Sequence, residues 1–165
     1  MDIARPFANP VTKPPRYMVC VDHREESRTA LRLACMKALA RSGSVVIVHV
    51  IPPADFQTLG AIADRMREER KKEGEELLQT LINEAAAHYG VTPAPVLREG
   101  AAGDEIVANA LEDHDVIMLV IGVASHNNGR GKLSAWLASQ LGNKLLVPLL
   151  MVPGNLTDEQ LQSLV

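Results

Sequence analysis

A chain of 165 residues fits a single domain with a full hydrophobic core. Apolar residues make up 47% and charged residues 22%, and 17 basic against 20 acidic residues leave a formal charge of −3. This balance argues against a broad nucleic-acid-binding surface, though not against a local basic patch. Cys20 and Cys35 lie in apolar segments without metal-like spacing, so we expect reduced core residues.

The first fifteen residues predict an extended arm, because they are rich in proline and contain no apolar core. The same features argue against a signal peptide or a membrane anchor. The longest apolar runs, Val116–Ile121 and Leu145–Val152, are too short to span a bilayer. We therefore expect a cytoplasmic protein.

Strand-like and helix-like segments alternate along the rest of the chain. The short apolar run Tyr17–Val21 predicts the first strand. Apolar residues at helical spacing from Ser27 predict a helix that Gly43 ends. The β-branched run 45–51 predicts a strand that is covered on both faces.

Residues 55–88 form the longest predicted helix. Its middle mixes charges of both signs, which indicates a solvated face rather than a nucleic-acid patch. Gly74 is a candidate break or kink. We expect one apolar stripe of this helix to be buried, consisting of Ile62, Met66, Leu77, Leu78, Leu81, Ile82 and Ala85.

The C-terminal half continues the alternation. Pro93–Glu99 predicts an edge strand, and a short amphipathic helix around Ile106 follows it. Val116–Ile121, Lys132–Asn143 and Leu145–Val152 then predict a strand, a helix and a strand. Five strands separated by four helices predict an α/β fold, a doubly wound five-stranded parallel sheet with helices on both faces.

The tail, residues 155–165, predicts one more short helix, Asp158–Leu164. Thr157 and Gln160 have the spacing of a capping box, and Leu156 and Leu161 have that of a hydrophobic staple. Its apolar residues are expected to pack on the domain or on a second subunit.

The chain resembles the universal stress protein family from about Arg16 to Gly154. The order and spacing of several short segments carry this resemblance: Tyr-Met-Val-Cys-Val-Asp at 17–22, Val-His-Val-Ile at 48–51, Arg-Glu-Gly at 98–100, Asp-Glu-Ile-Val at 104–107, Val-Ile-Gly at 120–122 and Pro-Leu-Leu-Met-Val at 148–152. The resemblance implies one domain over 16–154, the strand order 3-2-1-4-5 and a homodimer through the last strand. It also implies that many members bind ATP or AMP, whereas others lack the nucleotide site.

Members that bind nucleotide carry Gly-x2-Gly-x9-Gly-Ser/Thr after the fourth strand. The glycines let the backbone approach the phosphates, and the hydroxyl and amide groups hold an oxygen. Here Gly122 stands at the first glycine, but Ser125 stands at the second. Two registers stay open for the remainder. In the first register, the family's Ser-His-Gly-Arg…Leu-Ser…Gly-Ser matches Ser125-His126, Gly129-Arg130, Leu133-Ser134 and Ala138-Ser139. In the second, the nine-residue spacing is kept after Gly129, and Ser139-Gln140 then takes the Gly-Ser/Thr position.

The resemblance assigns two further positions. Asp22 matches a nucleotide-contacting aspartate, and its alternative role is a turn or cap before the helix. Val50 matches a residue whose backbone meets the adenine, and its alternative role is strand core. The candidate binding residues are therefore Asp22, Val50, Gly122, Ser125, His126, Gly129, Arg130, Gly131, Ser134 and Ser139.

Two functions follow from this pattern. The first is a stress-response protein that binds ATP or AMP weakly as a regulatory ligand, and the second is a dimeric scaffold that has lost the nucleotide site. We find no positioned base or nucleophile, although the resemblance leaves slow ATP hydrolysis conceivable. The histidines form no ligand cluster, so no metal is expected except Mg²⁺ with bound nucleotide. A two-component receiver domain would need an acidic pair after the first strand and an aspartate where Glu99 stands.

Overall fold

The computed structural model describes residues 13–53, 60–124 and 132–165. Strands and helices alternate throughout these residues, as the sequence predicts. The elements are β1 (Arg16–Cys20), α1 (Glu25–Ala40), β2 (Ser44–Ile51), α2 (Ala61–Tyr89), β3 (Ala94–Glu99), α3 (Ala102–Glu112), β4 (Val116–Val123), α4 (Lys132–Ser139), β5 (Leu149–Pro153) and α5 (Asp158–Gln162).

The five strands pair in parallel in the order β3-β2-β1-β4-β5, which confirms the predicted fold class and strand order. β1 lies at the centre, with Cys20 opposite Val48 on β2 and Ile121 on β4. The chain therefore adds β2 and β3 on one side of β1, and then adds β4 and β5 on the other side. In doubly wound sheets this reversal opens a crevice at the carboxyl ends of the strands.

Side chains of the central strands alternate between two buried layers. Tyr17 and Val19 point into the layer beneath α1 and α2, where Leu33 and Leu81 are fully buried. Met18 points into the opposite layer beneath α3 and α4. Burying each such large apolar side chain contributes about 1.5–3 kcal/mol, so both layers hold the strand ends in fixed positions.

Helix α2 differs from its prediction in two ways. It continues through Gly74 without a break, because this glycine lets the helix approach the sheet: a Cβ there would lie 2.8 Å from Cδ1 of Leu97 and 3.2 Å from Cδ2 of His49. Ile62 and Met66 were expected in the buried stripe but are 66% and 39% exposed. That part of the prediction is wrong, because the core contacts of α2 begin at Gly74.

The boundaries around the last strand are also different. α4 ends at Ser139 rather than Asn143, and β5 begins at Leu149 rather than Leu145. The backbone N–H groups of Asn143 and Leu145 both donate to the carbonyl oxygen of Gln140 at 3.0 Å, which closes a turn. Leu145 is nevertheless buried, so a core-facing connection has the apolar composition of a strand.

The C-terminal helix α5 packs on α1. The Thr157 hydroxyl accepts a bond from the backbone N–H of Gln160 at 3.3 Å, and Gln160 Oε1 accepts from the N–H of Thr157 at 2.9 Å, which forms the expected capping box. Leu161 is the residue of this helix that is fully buried, in the core layer that also contains α1 side chains. Among the described residues, no helix is both long and apolar enough to cross a membrane.

Candidate functional site

A cleft of about 200 Å³ lies at the carboxyl ends of β1, β2 and β4. Helices α1, α3 and α4 begin at its border, so their positive N-terminal ends point toward it. The cleft coincides with the reversal of strand order around β1, where open α/β sheets bind ligands. One wall is apolar and consists of Cys20, Val48, Val50, Ile106 and Ile121.

Asp22 lies at the mouth of the cleft, directly after β1. Its Oδ1 accepts hydrogen bonds from the backbone N–H of Arg24 at 2.8 Å and from the Ser27 hydroxyl at 2.9 Å. The same hydroxyl accepts a bond from the N–H of Asp22, so the turn into α1 is closed in both directions. Its Oδ2 lies 4.0 Å from Nε of Arg24, and the side chain is 50% exposed. Asp22 therefore has the turn role that was its alternative interpretation, and its half-exposed side chain also lines the cleft.

Two neighbouring residues of β2, His49 and Val50, line the same opening. Nδ1 of His49 donates to the carbonyl oxygen of Val21 at 2.8 Å, which ties the ends of β1 and β2 together. Its ring meets that of His23 edge-on, with the centroids 6.2 Å apart. Sequence reasoning did not assign His49 to the site, although its place between Val48 and Val50 near a strand end could have indicated it.

Gly122 borders the cleft, but its missing side chain faces α1. A Cβ at this position would overlap the backbone carbonyl of Glu26. A Cβ at Gly154 would likewise lie 2.5 Å from Cγ of Glu26. Gly122 is thus required for close packing of a helix against a strand, whether or not a ligand binds.

α4 is the helix at the cleft best suited to an anion. Ser134, in its first turn, is buried and lines the cleft. Of the three described helices that begin here, α1 and α3 carry carboxylates in the first turn, whereas α4 carries none and begins at Lys132. A helix N-terminus without acidic residues favours a phosphate or another anion.

Comparison with known proteins agrees with this architecture. The profile of the universal stress protein family matches residues 15–153. The chain belongs to this family. No curated protein sequence matches it significantly.

Several solved structures share the fold of this universal stress protein. UspA from Lactobacillus plantarum superposes with a TM-score of 0.71 at 11% identity, covering 85% of this chain and 98% of that chain. The universal stress protein from Archaeoglobus fulgidus in complex with dAMP has a TM-score of 0.62 at 20% identity, covering 84% and 97%. A family member from Arabidopsis thaliana with AMP bound has a TM-score of 0.60 at 19% identity, covering 88% and 95%.

The structure brings four of the candidate binding residues together at the cleft: Asp22, Val50, Gly122 and Ser134. It does not bring Ser139 there. Ser139 ends α4, roughly 10 Å along the axis from its start, and its hydroxyl donates to the carbonyl oxygen of Trp136 at 2.6 Å. The other five candidates lie outside the described residues: Ser125, His126, Gly129, Arg130 and Gly131.

Both cysteines are buried and carry free thiols. Burial, with a smaller contribution from Asp22, raises the pKa of the Cys20 thiol to about 12. Burial also raises the pKa of Cys35, which lies in the opposite core layer, to about 12. Cys20 therefore contributes an apolar surface to the cleft rather than a nucleophile. Within residues 13–53, 60–124 and 132–165, no group of three or more His, Cys, Asp or Glu side chains is arranged to hold a metal.

Proposed function

We propose that this universal stress protein binds an adenine nucleotide, AMP or ATP, weakly and as a regulatory ligand in the cytoplasm. The observation that carries the proposal is the cleft at the strand reversal, which combines an apolar wall, the carboxylate of Asp22 and the acid-free start of α4. Family membership supports it, as do the AMP and dAMP in two of the similar structures.

The chemistry of the cleft suggests how the nucleotide lies. The base and ribose fit the apolar wall near Val50, where Oδ2 of Asp22 can accept a bond from a ribose hydroxyl. The phosphate fits the start of α4, where the Ser134 hydroxyl and the charge of Lys132 favour an anion. We propose no metal except Mg²⁺ carried by bound ATP.

Weak binding is expected from the size and local bonding of the cleft. Its volume of about 200 Å³ is below the roughly 300–1,000 Å³ of most ligand pockets. Oδ1 of Asp22 is already used by the turn into α1. A ligand that contacts β1, β2 and α4 together stabilises one arrangement of these elements, which is what a regulatory ligand requires.

A dimeric scaffold without a nucleotide is the second candidate function. It is favoured because both Asp22 and Gly122 have structural roles that need no ligand. For either function we propose a homodimer through β5, which ends the sheet order and exposes 48% of Met151. Pairing β5 with its copy across a two-fold axis would cover this edge.

Isothermal titration calorimetry of the full chain with AMP and ATP tests the first function. We expect saturable binding, and Ser134→Ala should weaken it about tenfold through loss of a charge-assisted hydrogen bond. Ser139→Ala is the matched control, because it removes the same hydroxyl from the same helix outside the cleft. Absence of binding heat at millimolar AMP and ATP would favour the scaffold.

A further inference from the structure

One acidic residue that lines the cleft, Glu26, is packed closely against two glycines. Glu26 is the second residue of α1 and lines the cleft. A Cβ on Gly154 would lie 2.5 Å from its Cγ, and a Cβ on Gly122 would lie 2.8 Å from its Cβ. The end of β4 and the segment after β5 therefore pack against the stem of Glu26. Its side chain therefore lies beside the end of β4, the strand that precedes α4, the helix proposed to bind the phosphate.

Glu26 differs from its neighbours in its charge environment. Glu25 pairs with Arg32 at 3.1 Å, and Asp22 has the Nε of Arg24 4.0 Å away. Glu26 forms no ion pair with any residue that the structure describes, although its side chain is half-buried. A partly buried, uncompensated charge is screened less than an exposed one and acts more strongly on a ligand beside it.

The described lining of the cleft carries one excess negative charge. Asp22 and Glu26 are acidic and Arg24 is basic, whereas Lys132, which begins α4, is not among the residues that line the cleft. A nucleotide adds further negative charge with each phosphate. Repulsion from Glu26 therefore grows from adenosine to AMP to ATP, whereas contacts to the base and ribose stay the same.

We propose that Glu26 is a specificity-determining residue that makes the cleft select AMP over ATP. The inference rests on the proposed nucleotide binding and adds the charge class of the ligand. A site with this preference fills as the AMP concentration rises and empties as it falls, because ATP competes only weakly for it. Glu26 thus weakens binding of the triphosphate, whereas the start of α4 binds the single phosphate of AMP.

Calorimetric titration of adenosine, AMP and ATP into the full chain tests this inference. EDTA keeps Mg²⁺ from neutralising the triphosphate. We expect wild-type protein to bind AMP roughly fivefold or more tightly than ATP. Glu26→Gln keeps the shape of the side chain but removes its charge. It should reduce the ratio of AMP affinity to ATP affinity about fivefold, mainly by increasing the affinity for ATP. Glu25→Gln is the matched control and should leave the ratio unchanged, since Glu25 is paired with Arg32 and does not line the cleft.

The wild-type ratio measured at low and high salt gives a second test that needs no variant. Raising the ionic strength from about 0.01 M to about 1 M shortens the screening length from roughly 30 Å to 3 Å and should narrow the ratio. Three results would overturn the inference and leave the proposed function standing: ATP binding as tight as AMP binding, a ratio of AMP to ATP affinity unaffected by Glu26→Gln, or a preference for AMP that increases with salt. Absence of binding by all three ligands would overturn both.

Discussion

The role of Gly122 can be tested by adding a single methyl group. In Gly122→Ala the new Cβ would overlap the backbone carbonyl of Glu26, which belongs to the first turn of α1 and cannot rotate away. Relief requires α1 and β4 to move apart. Overpacking of this kind typically costs 1–3 kcal/mol, and we expect about 3 kcal/mol here because the obstacle is backbone.

Gly154→Ala provides the comparison. Its Cβ would meet Cγ of Glu26 at 2.5 Å, Cβ at 3.1 Å and Cα at 3.2 Å, so the closest obstacle is a side-chain atom. We expect a cost of about 1 kcal/mol. Adding Glu26→Ala removes that Cγ and should restore much of the loss in Gly154→Ala. It should restore none in Gly122→Ala, because the carbonyl of residue 26 remains.

Urea unfolding followed by circular dichroism measures these differences, and melting temperatures give a second reading. A loss of about 3 kcal/mol corresponds to roughly 6–12 °C for a domain of this size. Wild-type stability of Gly122→Ala would refute the packing role of Gly122. A role in ligand binding would then be the remaining explanation for a glycine at this position. Rescue of Gly122→Ala by Glu26→Ala would refute the assignment of the obstacle to the backbone.

Three further predictions concern the tail, the thiols and the edge strand. Leu161→Ala should lower the free energy of unfolding by about 2–5 kcal/mol in urea titration, since Leu161 is the fully buried residue of α5; an unchanged midpoint would mean that the tail does not stabilise the domain. Burial raises the pKa values of the Cys20 and Cys35 thiols from 9.0 to about 12, so the folded state disfavours the thiolate. The stability that the two thiols contribute should therefore be intact below pH 9 and fall between pH 9 and 12. Unfolding titrations across that range check this, and stability that rises there would contradict it. Met151→Asp should convert the proposed dimer to a monomer in light scattering, because a carboxylate would enter the β5 edge, whereas a wild-type monomer at micromolar concentration would rule out the dimer.

The fold could be predicted from sequence because its elements differ sharply in pattern. Uninterrupted β-branched runs become strands covered on both faces, and helical spacing separates them. Prediction failed where an apolar residue is buried without belonging to a strand, or belongs to a helix without being buried. Leu145 is as buried as a strand residue yet lies before β5, directly after a turn. Ile62 and Met66 continue a helical apolar pattern beyond the part of α2 that contacts the core.

The sequence indicated residues that line the cleft near strand ends, but not those whose position depends on packing between distant segments. The family resemblance assigned Asp22 and Val50, and both line the cleft near the carboxyl ends of β1 and β2. Glu26 is indistinguishable in sequence from Glu25, and only its contacts with Gly122 and Gly154 set it apart. Those glycines are 96 and 128 positions away along the numbering, so no local pattern could reveal the contact.

Nuclear magnetic resonance titration of the ¹⁵N-labelled full chain with AMP tests nucleotide binding at the cleft most directly. The account predicts saturable shift changes at the backbone amides of Asp22, Val50, Gly122 and Ser134, with no comparable change at Ser139. Unchanged spectra at millimolar AMP, or shift changes that cluster away from the cleft, would contradict it.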